Sequence, residues 1–264
     1  MHVGGTIGYK GQPSFKLKHY PAIGRGRKNM KPYVICHMNS SVDGRILGSR
    51  WRPAENRMAG LFERLHDELG GGSWLIGRVT GSEYAKAESY PDRTDQIFPR
   101  EPWFVRRDAI APNIAYGIAL DARGKIAWGR SDIGGDPIVV VLTELVSDAH
   151  LAGLRQDGVS YIFAGEQELD LGLALEILNR ELGIEHLLLE GGGGSNGAFL
   201  RAGLIDEISL AICPAIDGAK GAPSIFDSSD QDAGIAAPIR SMVLASTEML
   251  EGGAVWLRYR LQNG

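Results

Sequence analysis

The 264-residue sequence has only two cysteines, Cys36 and Cys213, which lie in separate strand-like segments without a partner at metal-ligand spacing. A disulfide scaffold and a thiolate zinc site are therefore excluded, and both thiols are expected as small buried hydrophobes in a reducing compartment. Apolar runs such as PIVVVL (137–142) and HLLLE (186–190) fall far short of the ~20 residues a membrane helix needs, and the opening MHVGGTIGYKGQ has no apolar signal core. Positive charge is scarce where a nucleic-acid enzyme needs it. Residues 1–31 hold seven Lys/Arg and no acid, which leaves 21 bases against 32 acids in the remainder. Aromatics are only 8% of the chain, yet 44% of residues are apolar, which is globular composition and excludes disorder and collagen. The expectation is a soluble cytoplasmic protein with a small-molecule substrate and no nucleic-acid or membrane partner. Residues 1–31 read as a flexible basic extension and 32–264 as a single domain.

What is present is an alternation of short β-branched runs and helical ones. Strands are expected at 32–40, 73–77, 116–121, 137–142, 160–165, 186–190, 206–216 and 253–261. Helices are expected at 57–70, 81–88, 148–156, 169–183 and 198–204, with loops over 90–104 and 217–234. The 57–70 stripe is Met58, Leu61, Phe62, Leu65 and Leu69; that of 169–183 is Leu171, Ala174, Leu175, Leu178 and Leu182, with Gly183 as its cap. Continuous apolar strands separated by helices predict an α/β fold: a mostly parallel central sheet covered on both faces, with antiparallel strands near the C-terminus.

The segment EGGGGSNGAFL (190–200) follows a strand and opens a helix. Glycine there frees backbone N–H groups to meet a phosphate or pyrophosphate, whereas a tight strand-to-helix turn needs fewer than four consecutive glycines. The cluster contains G-x-G-x-x-G (Gly192, Gly194, Gly197) with Asp217 twenty residues on, a Rossmann-type pattern. Against that reading, Asp217 lies beyond Pro214 in a glycine-rich loop, and the unit comes last rather than first. It also contains G-x-S-x-G (Gly193, Ser195, Gly197), but all six histidines precede Ser195, so the triad order of an α/β-hydrolase cannot be met.

Three other segments combine with this cluster: NSSVDGRI (39–46), IGRVTGSEY (76–84) and FLRAGLIDEISLAICPAIDGAKGAPSIF (199–226). Over roughly residues 32–261, the order S-x-D-G, G-R-x-T, E-G-G, G-L-x-D-E resembles the reductase domain of the riboflavin-biosynthesis deaminase-reductase, of the dihydrofolate reductase-like superfamily. The resemblance implies a homodimeric, NADPH-dependent reductase that transfers hydride to a carbonyl or imine carbon of a small pyrimidine- or pterin-type substrate. It implies cofactor contacts at Ser40, Gly77, Arg78, Thr80, Thr143 and Gly192, Gly193, Gly194, Ser195 and Asn196, with Arg78 on the adenosine 2′-phosphate. Ser41, Trp51 and Glu190 fall on the substrate side, and Glu190, ending a buried strand, is the main catalytic candidate. Asp43 is expected to order its own loop through backbone N–H groups.

The sequence also departs from that family. His37 stands where the riboflavin enzymes carry a lysine, Tyr84 replaces the first acid of an acidic pair, and Arg93 is the only base near the place of the phosphate-side arginine. His37 is either a satisfied core residue or a substrate-side proton donor. The deaminase signature H-x-E with P-C-x-x-C is absent. Two other readings stay open: a non-catalytic NADPH-binding sensor of the same fold, and a dihydrofolate or pterin reductase.

Overall fold

A computed structural model describes residues 31–54, 58–105, 114–229, 232 and 234–264. The expected basic extension lies outside the described residues except for Lys31, whose ammonium pairs with Asp206 at 2.9 Å. The strands are β1 (Tyr33–Ser40), β2 (Trp74–Gly77), β3 (Gly117–Leu120), β4 (Asp132–Ile133), β5 (Asp136–Leu142), β6 (Ser160–Phe163), β7 (His186–Leu189), β8 (Glu207–Ile212), β9 (Ile239–Met249) and β10 (Val255–Asn263). The helices are α1 (Leu61–Glu68), α2 (Arg78–Tyr84), α3 (Asp148–Asp157), α4 (Leu171–Leu182) and α5 (Gly193–Arg201).

The ten strands among the described residues form one sheet. Its parallel part runs β6-β5-β3-β2-β7-β1-β8; β10 and then β9 add antiparallel at one side, and β4 is a short antiparallel pair with the start of β5. β7, late in the chain, lies between β2 and β1, so the carboxyl ends of three strands distant in sequence meet at mid-sheet. Alternation along each strand feeds two cores. Ile35 and Leu188 face one side with Leu61 and Leu65 of α1 and Leu151 and Leu154 of α3. Val34, Cys36, Leu187 and Leu189 face the other with Leu175 and Leu178 of α4 and Phe199 of α5. Both cysteines are buried and free. The α/β architecture with antiparallel C-terminal strands is the one expected.

Several elements differ from expectation. The 57–70 helix begins only at Leu61, because Met58 (φ 53°) and Gly60 (φ 74°) are left-handed and cannot extend it backwards. The helix placed at 81–88 starts directly at the end of β2, at Arg78, and has ended by Ala85. The helix placed at 198–204 starts five residues earlier, so the glycine cluster is its first turn rather than a loop before it. The long strand β9 was not anticipated. Most of its residues are exposed, so it carries no alternating pattern to betray it.

Core packing on the α4 face is directly testable. Leu178 is fully buried while Leu173 on the same helix is 38% exposed. Leu178→Ala is expected to cost about 2–5 kcal/mol in chemical denaturation and Leu173→Ala less than about 1 kcal/mol.

Candidate active site

The carboxyl ends of β1, β2 and β7 converge because glycine lets two turns touch. A Cβ on Gly191 would lie 2.7 Å from the Gly77 amide nitrogen and 3.1 Å from Ile76 Cα, and one on Gly77 would lie 2.1 Å from Ser195 Oγ. Only glycine permits this backbone-to-backbone approach. Two glycines of the cluster are accounted for by packing on the other side: side chains at Gly193 and Gly197 would overlap the carbonyls of Ser224 and Asp227. The entropy argument for a ligand thus applies to only part of the run. Gly194, by contrast, faces open space with nothing within 4 Å, and Gly192 lies across from the Thr80 hydroxyl.

These turns set the first turns of α2 and α5 side by side. In α5 the Asn196 amide bonds the Gly192 carbonyl, so the amides of Gly193, Gly194 and Ser195 precede the first intrahelical bond. Arg78 is exposed at the start of α2, has no ion pair among the described residues, and its charge acts on the Asp121 carboxyl at the end of β3. Thr143 ends β5 beside it, fully buried, with its hydroxyl donating to the Ala122 carbonyl at 2.6 Å. Asn196 is turned inward; its amide donates to the Ile225 carbonyl at 3.0 Å. Gly77, Arg78, Thr80, Gly192, Gly194 and Ser195 are therefore brought together, while the Thr143 hydroxyl and the Asn196 Nδ2 are occupied within the fold and Asn196 Oδ1 has no partner among the described residues.

Beside these turns is a cleft of about 300 Å³ lined by Met38, Asn39, Ile46, Trp51, Met58 and Phe62, with Glu63 and Glu190. Trp51 is 3% exposed, and its indole N–H has no acceptor among the described residues; Asn39 Oδ1, also buried, has no donor. An unpaired donor and an unpaired acceptor thus belong to residues that line one cleft. Ser40 and Ser41 are buried at the end of β1. Ser41 Oγ donates to Asp43 Oδ1 at 2.6 Å, and Asp43 accepts from the amides of Asp217 and Gly218 at 3.1 and 2.8 Å. These bonds hold the Asp43 carboxyl down at about 2. Asp43 does bond backbone N–H groups, but those of the 217–218 segment rather than of its own loop, to which the Ser41 hydroxyl ties it.

Glu190 follows β7 and faces α1, where His66 Nδ1 lies 2.7 Å from Glu190 Oε1. Their side chains are 8% and 20% exposed. Burial raises the Glu190 pKa against the pull of His66, and the hydrogen bond to Glu190 raises that of His66. His66 was not among the residues singled out. It sits one helical turn after Phe62, on the flank of the buried stripe, and that spacing is the signal that points it toward the sheet.

His37 is fully buried on β1. Its Nε2 meets the Phe62 carbonyl at 3.2 Å and Nδ1 meets Ser209 Oγ at 3.2 Å, while Trp256 donates to the same Ser209 hydroxyl at 2.8 Å. A carbonyl only accepts, so Nε2 carries the hydrogen and Nδ1 takes that of Ser209: a neutral imidazole with both nitrogens engaged. Phe62 stacks on the ring at 4.5 Å. Burial lowers its pKa to about 4. The structure thus places His37 in a core network rather than in the cleft. Tyr84 tilts against Trp74 at 6.2 Å, and Arg93 is exposed.

Residues 124–255, half of the chain, match the family described as the RibD C-terminal domain. A 2,5-diamino-6-ribosylamino-4(3H)-pyrimidinone 5′-phosphate reductase of Methanothermobacter thermautotrophicus is 37% identical over 91 residues, which is 34% of this chain and 41% of that protein's own length. One of the same name from Aquifex aeolicus is 26% identical over 196 residues, 74% of this chain and 82% of the relative. Among solved structures, a pyrimidine reductase-like protein of Corynebacterium diphtheriae superposes with a TM-score of 0.63 at 16% identity, over 88% of this chain and 93% of that one. The riboflavin biosynthesis reductase Rib7 of Saccharomyces cerevisiae gives 0.54 at 18% identity, over 90% and 94%. The structural likenesses speak for the fold.

The buried His37 network makes a pH prediction. A histidine whose folded pKa is lowered to about 4 from 6.5 stabilises above the unfolded value and loses that contribution as pH falls through the folded one. Unfolding free energy is expected to decline across this interval, and His37→Gln to flatten the decline. An equally steep acid limb in the variant would show that His37 is not its source.

Proposed function

The chain belongs to the RibD C-terminal domain family, and from that premise we propose that it is an NADPH-dependent reductase acting on a carbonyl or imine carbon of a pyrimidine-type substrate. The observation that carries this reading is the contact of the Gly77 and Gly191 turns, which places two helix starts beside a cleft containing a buried carboxyl and two orphaned polar groups.

The residues present fit a dinucleotide. Open space at Gly194, the amides of the first turn of α5 and the Thr80 hydroxyl suit a diphosphate. Arg78, exposed and without an ion pair among the described residues, suits a 2′-phosphate at the β3 and β5 side of the sheet edge. When bound, such a cofactor supplies the hydride. What the protein contributes is placement and charge. Trp51, Phe62, Met38 and Met58 form apolar walls for a flat ring and exclude water, while Asn39 Oδ1, the Trp51 indole N–H and Glu190 offer polar contacts to its edge. The relatives described above are named as reductases of a ribosylaminopyrimidinone phosphate.

A homodimer is the proposed assembly. β9 ends the sheet with eleven residues, and Met242, Val243 and Leu244 along it are each about half exposed, an edge that a second copy can cover. Sedimentation should report a dimer, and Val243→Lys should shift it to monomer; a wild-type monomer contradicts this assembly.

The cofactor assignment is tested by fluorescence titration. Wild type is expected to bind NADPH more tightly than NADH, and Arg78→Ala to lose about tenfold or more in NADPH affinity with NADH affinity unchanged. Equal affinity of the wild type for the two cofactors would contradict the 2′-phosphate role.

A further inference from the structure

The Glu190–His66 contact has a consequence for how the cleft recognises its ligand. We propose that His66 is a positioning residue for Glu190: its Nδ1–H holds Oε1, so that the buried carboxyl stays ionised in the cleft and accepts N–H or O–H donors of the substrate. The identity of that substrate rests on the reductase reading above; the pairing itself does not.

The geometry supports this in three ways. Glu190 stands at the end of the strand that lies between β2 and β1, where backbone packing fixes its Cα, and it lines the cleft. His66 Nδ1 lies 2.7 Å from Oε1, and among the described residues it is the only side chain bonded to that carboxyl. The backbone that carries the ring is fixed as well: the Gly71 amide bonds the His66 carbonyl at 3.0 Å, closing the end of α1.

The surroundings decide the charge. Glu63 on α1 and Asp136 on β5 both oppose ionisation of Glu190, as does burial, which is the largest influence on it. Asp67 and Asp136 favour a cation at His66. From β1, His37 is kept neutral by its own burial and so does not compete, while Cys36 and, from α2, Tyr84 have their ionisation pushed up partly by Glu190 itself. His66 is therefore the one group facing Glu190, among those named, that favours its ionised form.

The sign follows. In wild type the imidazolium pulls Glu190 toward ionisation at lower pH than burial alone allows. Without it the carboxyl keeps its proton to higher pH and stops accepting donors. His66→Asn retains an amide donor near Nδ1 but carries no charge. Its kcat/KM profile is expected to have its acid limb moved to higher pH, with KM raised about tenfold at neutral pH and recovery toward wild type at alkaline pH, where Glu190 ionises unaided. A variant that only damages packing has no reason to recover with alkali.

An NMR titration of the cofactor-free protein supplies the second readout. The His66 ring is expected to titrate at higher pH in wild type than in Glu190→Gln, with thermal melts confirming that both are folded. Identical His66 titrations in the two proteins, or a wild-type acid limb in His66→Asn, would overturn the proposal. A wild type that oxidises no NADPH with any aminopyrimidine substrate counts against the reductase reading instead, and the histidine titration then decides the pairing alone.

Discussion

The close approach of backbone at Gly191 to Gly77 and Ile76 is the constraint on which the site depends. Two reversals that are more than a hundred residues apart in sequence come this close because Gly191 has no Cβ to strike the Gly77 and Ile76 backbone, and Gly77 none to strike the Ser195 side chain. Inserting β7 between β2 and β1 brings the reversals together, and the absent Cβ atoms let them close. From that contact follow the adjacent starts of α2 and α5 and the position of Glu190 at the cleft. α/β sheets place ligands beyond the carboxyl ends of their strands, and here two of the unpartnered polar groups, Asn39 Oδ1 and the Trp51 indole, belong to residues that line the cleft at this edge.

Charge is distributed so that neighbouring imidazoles do different work. His37 is neutral because Ser209, Trp256 and the Phe62 carbonyl satisfy it and burial penalises its cation. His66, on the same side of the sheet, sits against a carboxylate that favours the cation. Phe62 separates the two roles: it stacks on His37 and lends its carbonyl to it, and one helical turn later the chain presents His66 to Glu190.

Much of this was legible in the sequence. β1, β5, β7 and α4 declare themselves because continuous apolar runs and the Leu171–Leu182 stripe reflect burial, and burial is what periodicity records. β9 was not legible, since a strand exposed on most of its length has no face to alternate against. The start of α5 was misplaced because glycine is a poor helix former. Its presence there answers the Ser224 and Asp227 carbonyls, a demand made by residues thirty positions away. For Asp43 the sequence pointed to backbone N–H partners, which it has, but Asx bonding is a local expectation and its partners at Asp217 and Gly218 are not local. His66 was missed for the complementary reason: its meaning lies in Glu190, 124 residues on, and nothing near it in sequence advertises a carboxylate. The S-x-D-G, G-R-x-T and E-G-G order pointed to segments that the fold brings to one sheet edge; it could not show which side chains the fold would occupy for itself.

The central claim is that the two glycine turns form one binding edge for a pyridine dinucleotide. A crystal structure of the protein grown with NADPH tests it most directly. The account predicts the diphosphate between the first turns of α2 and α5, the 2′-phosphate at Arg78, and the nicotinamide in the cleft next to Glu190. Cofactor density elsewhere on the molecule, with the Gly191 and Gly77 edge left open, would contradict it.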